Sequence, residues 1–298
     1  MPAYRGPTSL IWLVTILSAI RMSSQHKVAV HWFRNGLRFH DNPCLLDACQ
    51  RSETLIPLYI IDPETPFAQT QGLRPGTIRA NFVLESIREM DDKLRRQNSR
   101  MLVVLGKHHE VLPRVLESTG ATALFYEREA AAPIREADRE TLATIEKNVV
   151  IVGHETHTLH PMDKYLAKSK GGSLPSTYGV FTKLFQSMTV PAEVDDVKQL
   201  PPLPVKAVET LSETFGSNLE VPTLEELGYE NAEDELKSRG RGGYEFVGGE
   251  DMALKLLADN MKKTEWIATF EKPKTSPNDA VKPSTTALSP CTLLSCIE

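Results

Sequence analysis

Residues 27–33 read KVAVHWF, a run of β-branched and aromatic side chains with a single cation at its start. Such a run suits a strand buried on both faces. Working outward, the same type of segment recurs at 54–61 (TLIPLYII), 100–105 (RMLVVL), 123–126 (ALFY) and 149–152 (VVIV). The intervening stretches have a different period. Ile78, Phe82, Ile87, Met90 and Leu94 follow one another at close to 3.6 residues, the mark of an amphipathic helix. Residues 111–116 form a second helical pattern that stops before Gly120, a natural terminator. Residues 137–145 form a third. Short apolar strands alternating with helices predict right-handed βαβ units, and so a Rossmann-like parallel five-stranded sheet flanked by helices. Ligands of open α/β sheets lie in the crevice beyond the strand C-termini. That directs attention to residues 34–42, 62–66, 106–109 and 127–133.

Beyond Gly153 the regularity fails. Residues 168–176 (KSKGGSLPS) are rich in turn formers, and 191–204 are rich in proline and read as a connector. Pro222 and Thr223 are helix-start signals opening 220–228 (EVPTLEELG). Residues 240–249 (GRGGYEFVGG) read as flexible, and 252–270 return to a helical period. The expected division is an extension over 1–25, an α/β domain over 26–155, an interdomain linker over 156–220, and the incomplete start of a helical domain over 221–298.

The 298 residues carry 39 acidic against 34 basic side chains, a formal charge of −5. Duplex DNA binding draws its affinity largely from neutralised phosphates, so this balance gives no support to DNA binding by the chain alone. Cys44, Cys49, Cys291 and Cys296 are the only cysteines; their spacing suits neither a zinc site nor a disulfide framework, and fits a reducing compartment. Residues 9–20 (SLIWLVTILSAI) are too short to span a bilayer but would pass as the apolar core of a signal peptide. The plainer reading is an upstream extension preceding Met22, which leaves nucleus or cytoplasm as the expected compartment and an organelle as the alternative.

Several motifs each carry two readings. Arg34, Arg38 and Asp41 follow the first strand in WFRNGLRFHDNPCL and suit either a buried ion-pair network or an anionic ligand. Asp41, Asn42 and Pro43 are also a good helix start. The loop Gly106–Lys107–His108–His109 suits an anion at a helix start, although solvated loop is the simpler reading, and it lacks the spaced glycines of a phosphate loop. His154, His157 and His160 have the look of a metal set, yet a structural or solvated segment is the better account. Residues 283–290 (PSTTALSP) offer hydroxyls at a helix start, suited to a phosphate but common in plain loops.

Read together, these stretches resemble the photolyase/cryptochrome family. VHWFRNGLRFHDNP, PLYIIDP (57–63), RANFVLESIREMDDKLRRQNSRMLVVLG (79–106) and YEREAAAPIREAD (126–138) carry the likeness through the α/β part. HTLHP (157–161), STYGVF (176–181), VPTLEELGY (221–229), GGEDMALKLL (248–257) and WIATFEKPKTSPN (266–278) continue it in order, the last being most similar to the (6-4) photolyase and animal-type cryptochrome branch. The resemblance implies an α/β domain able to hold an antenna folate or deazaflavin, with Phe33, Arg34, Arg38, Asp41 and Asn42 as candidate pocket residues. It also implies a helical domain holding FAD, whose phosphates would meet Thr285, Thr286, Ala287, Leu288 and Ser289, with Lys272 near the flavin or the DNA. Damaged DNA is the partner so implied for a full-length member, and no membrane.

The likeness stops at Pro290, where the family continues LSPYLKFGCLS and this chain reads LSPCTLLSCIE. The family's electron-transfer tryptophans and lesion-pocket histidines have no counterpart, so the expectation is a chain inactive in photorepair by itself, with residues 221–270 short of packing partners. The alternatives are a non-catalytic antenna-binding or protein-interaction module, and a generic α/β nucleotide-binding enzyme, which the missing glycine fingerprint and nucleophile–base pair disfavour.

Overall fold

The computed structural model describes residues 26–64, 67, 74–169, 171–239, 247–269, 286 and 288–293. Five strands, β1 (His26–Phe33), β2 (Ser52–Ile61), β3 (Leu102–Leu105), β4 (Ala123–Glu127) and β5 (Val150–His154), form one sheet in the order β3-β2-β1-β4-β5. Every pairing is parallel. Helices α1 (Pro43–Arg51), α2 (Thr77–Arg96), α3 (His108–Thr119) and α4 (Ala132–Ala143) make the crossovers. The expected parallel five-stranded sheet flanked by helices is the observed one.

Local chemistry accounts for these boundaries. Asn42 caps α1 by accepting the Leu45 amide at 2.9 Å, with Pro43 in the first turn. Gly120, at φ +65, closes α3 in the left-handed conformation that glycine adopts without a Cβ clash. Alternation along β1 sends Ala29 and Phe33 into one core with Leu45, Leu84 and Ile87, and Val30 and Trp32 into the other with Leu112 and Leu124. Both layers are largely apolar and buried, and burial of this kind contributes about 25 cal/mol per Å² of apolar surface. His31 sits inside the sheet and burial lowers it to about 4, so it is neutral at pH 7.

Residues 156–220, expected to be an interdomain linker, do not run free. They hold three short helices, α5 (Met162–Lys168), α6 (Tyr178–Gln186) and α7 (Ala207–Phe215). The Leu55 amide of β2 donates to the Pro202 carbonyl at 3.1 Å, and the Val103 amide of β3 donates to Leu219 at 3.0 Å. This chain therefore covers the open edge on that side of the sheet, which would otherwise leave backbone donors bare. Leu211 and Leu219 join the core beside α3.

The C-terminal part comprises α8 (Ala232–Arg239), α9 (Glu250–Met261), α10 (Thr264–Ala268) and α11 (Ser289–Leu293). The helix-start signal at Pro222–Thr223 produces only a turn. Thr223 and Glu226 cap one another reciprocally, at 2.7 and 3.1 Å, but Gly228 at φ +77 ends the turn at once. The single helix expected over 252–270 is divided between α9 and α10. Lys262 and Lys263 fold back onto Asp259 and Asn260 in the last turn of α9, where cations are favoured. No described helix is long and apolar enough to cross a membrane.

Candidate functional site

A cavity of about 290 Å³ opens beyond the C-termini of β1, β2 and β3, against α3 and α4. Its inner wall is the indole of Trp32, 1% exposed. Tyr126 lies nearly parallel to that ring with centroids 6.1 Å apart, and His108 meets it edge-on at 5.3 Å. The Arg34 guanidinium sits over the indole, 4.7 Å from its centroid. Asp138 on α4 holds it there through Nη1 at 2.7 Å. Burial pushes the Asp138 carboxyl above its usual range, and Arg34 pulls against it. Asn35 is pinned beside it by donation to Glu129 at 2.7 Å.

The rim mixes charges. Lys107 lies 3.4 Å from Glu64, and Asp62, His109 and Glu140 border the opening. Burial, with Arg34 nearby, lowers His108 to about 4, so its imidazole is neutral at pH 7; its one N–H is engaged by the Ile60 carbonyl, which leaves the other nitrogen as an acceptor. The site can hold a flat ring beside the Arg34 guanidinium that covers Trp32, and meet an anionic substituent with Arg34 or Lys107.

Of the residues suggested by sequence, Phe33 and Arg34 line this cavity. Arg38, Asp41 and Asn42 do not. Arg38 is buried and bonds the Asp41 carbonyl at 3.2 Å; Asp41 accepts the Val194 amide at 2.9 Å; Asn42 caps α1. Thr286, Leu288 and Ser289 come together at the start of α11, and the Thr286 carbonyl accepts from Asn260 at 2.9 Å. Lys272, Thr285 and Ala287 lie outside the described residues. The three histidines diverge: His154 pairs with Asp47 at 3.0 Å, His157 lies 3.5 Å from Glu129, and His160 packs on Tyr165 and Phe185.

A family model described as DNA photolyase matches residues 29–204. The chain belongs to the DNA photolyase family. Cryptochrome-1 of Mus musculus is 34% identical over 271 residues, covering 90% of this chain and 42% of that protein. The (6-4)DNA photolyase of Arabidopsis thaliana is 33% identical over 278 residues, covering 89% of this chain and 47% of its own. The chain thus spans under half the length of these photolyase and cryptochrome relatives. The fold matches a Synechocystis cryptochrome at a TM-score of 0.70 and 22% identity, over 93% of this chain and 54% of that one. It matches a class III photolyase from Agrobacterium tumefaciens at 0.67 and 19%, over 92% and 52%. A Sulfolobus tokodaii photolyase whose structure holds two FAD molecules matches at 0.57 and 18%, over 91% and 53%.

Trp32, Tyr126, His108 and Asp138 were not among the candidates that sequence supplied. In the sequence Trp32 and Tyr126 look like strand residues, and His108 like part of a solvated loop. The signal that would have found them is positional: each sits within one or two residues of a strand C-terminus or on the helix facing it.

Proposed function

We propose that this chain is the light-harvesting side of a blue-light-driven photolyase or photoreceptor. In this reading the crevice takes an antenna folate or deazaflavin, while FAD, not retained by this chain alone, meets Thr285, Thr286, Ala287, Leu288 and Ser289 in the longer protein, with Lys272 near the flavin or the DNA. The observation that carries it is the aromatic wall of the crevice, Trp32 under an Arg34 held by Asp138. A planar ring system stacks on a guanidinium held in this way, and a carboxylate or phosphate meets its N–H groups. Reduced, excited FAD supplies the electron for photorepair in a complete member. For the longer protein the proposed activity is repair of (6-4) lesions in damaged DNA or light signalling.

The 298-residue chain by itself is proposed to be inactive in repair. Among the described residues, the candidate FAD contacts come from one short helix start, whereas a productive pocket encloses most of its ligand. Its charge of −5 supports weak or no DNA binding by the chain alone. Nucleus or cytoplasm is the proposed location, with an organelle as the alternative. To test the reading, the purified chain is passed through gel filtration and its near-ultraviolet and blue absorbance recorded. An antenna-type chromophore retained by the wild type and lost in Arg34→Ala is expected. Tightly held FAD with light-driven repair of a (6-4) lesion would contradict the proposed inactivity, and an Arg34→Ala variant that keeps its chromophore would contradict the crevice assignment.

A second reading, a non-catalytic interaction module, is favoured by α6, where Tyr178 is 84% exposed and no residue is buried. Pull-down from cell extract discriminates, since recovery of chaperones alone would count against it.

A further inference from the structure

Helix α9 is anchored at both ends by buried polar side chains. At its first residue, Glu250 is 3% exposed and accepts from the backbone amides of Phe39 at 3.0 Å and His40 at 2.9 Å, from the His40 ring, and from Lys93. Burial would raise this carboxyl, but the bonds from His40 and Lys93 outweigh it and hold it at about 2. Phe39 and His40 belong to the loop 34–42, whose first residues, Arg34 and Asn35, line the crevice. The entry to α9 is closely packed. A Cβ at Gly248 would lie 2.1 Å from the Phe82 carbonyl, and one at Gly249 1.7 Å from Glu89. The Gly248 amide donates to Glu85 at 2.8 Å and that of Asp251 to Glu89 at 3.1 Å.

At the other end Asn260, also buried, donates to the Thr286 carbonyl at 2.9 Å and accepts from Lys263 at 3.2 Å. Ala253 completes the inward stripe, at positions i, i+3 and i+10 of one helical face. The ten helical steps from Glu250 to Asn260 set the two anchors roughly 15 Å apart along the axis.

We infer that α9 is a strut, with Glu250 and Asn260 as positioning residues that set the separation and orientation of the crevice relative to Thr286, Leu288 and Ser289. The inference rests on the reading of those two places as antenna and flavin sites. Energy passed from one chromophore to another falls steeply with separation and depends on relative orientation, so a rigid spacer tunes its efficiency.

The test is a distance distribution by pulsed electron resonance between spin labels at Glu110, beside the crevice, and Thr292, on α11. The labels are carried on a ketone-bearing amino acid, which leaves the native cysteines in place. The full chain is used without a chromophore, so a failure to bind one leaves this test standing. One narrow population is expected for the wild type. Glu250→Ala and Asn260→Ala should each widen it about twofold, while Leu254→Ser on the outer face leaves it unchanged. A purely structural role would lower Tm in both variants without widening the distribution. Should Glu250→Ala fail to fold, Glu250→Gln, which keeps the acceptor oxygen but loses the charge facing Lys93, should widen it less. A wild type with several distances, or variants as narrow as the wild type, would overturn the strut.

Discussion

The sheet and helix α9 differ in what holds them. In β2 every residue from Leu55 to Ile61 is buried, and the two core layers close over it from either side. In α9 the inward face is Glu250, Ala253 and Asn260, while Met252, Leu254 and Met261 face outward. The sheet is secured by apolar area, which needs no particular partner atom; α9 enters that core through Ala253 and otherwise leans on a few polar contacts, which do. A frame of the first kind is difficult to break at any one bond, and one of the second kind fails at a single residue.

The largest effect that would sharpen this contrast comes from the sheet. Ile56→Ala removes a fully buried side chain from β2 and should cost about 2–5 kcal/mol in urea unfolding. A loss below 1 kcal/mol would mean the layer is looser than its burial implies.

Acid comes next. His31 has its pKa lowered from 6.5 to about 4 in the folded chain, so the unfolded chain binds more protons between those values. Stability should therefore fall as pH drops from about 6.5 to 4, by on the order of 3 kcal/mol for this site, and a His31→Gln variant should flatten that slope. Glu250 acts over a lower window: its contribution is present above the ordinary carboxylate pKa of 4.5 and is lost as pH falls toward about 2.

Glu250→Ala leaves two backbone amides, the His40 ring and Lys93 without their shared acceptor. It should weaken the seating of α9 by about 1–3 kcal/mol, read as faster amide exchange across 248–261 with β1 and β2 still protected. Exchange rising equally in the sheet would erase the distinction between the two regions. The smallest effect belongs to Met261, 59% exposed, where Met261→Ser should shift unfolding by no more than about 0.5 kcal/mol.

The same contrast explains what could be read from sequence. Apolar runs such as TLIPLYII state their own burial, and the period change between them and the Ile78-to-Leu94 helix states the topology. Contacts made by single polar groups across long separations leave no such trace. Glu250 meets Phe39 and His40 more than two hundred residues away, and nothing in GGED points to that loop. The crevice was legible as a location, since it follows from strand direction, but its content was not. Arg38, Asp41 and Asn42 share a dense motif with Arg34, yet capping and loop closure claim them, and only Arg34 turns to the cavity. Residues 156–220 lacked a clear period because their buried side chains, Val197, Leu200, Leu211 and Leu219 among them, are scattered between short helices and stretches that follow the sheet edge.

The most direct test of the crevice as a chromophore site is the emission of Trp32 during titration with a folate and, separately, a deazaflavin. Trp12→Phe and Trp266→Phe remove the other two tryptophans. Saturable quenching at one ligand per chain, abolished by Arg34→Ala and unchanged by Met261→Ser, is the expected result. Quenching that never saturates with either ligand, or that survives Arg34→Ala in full, would contradict it.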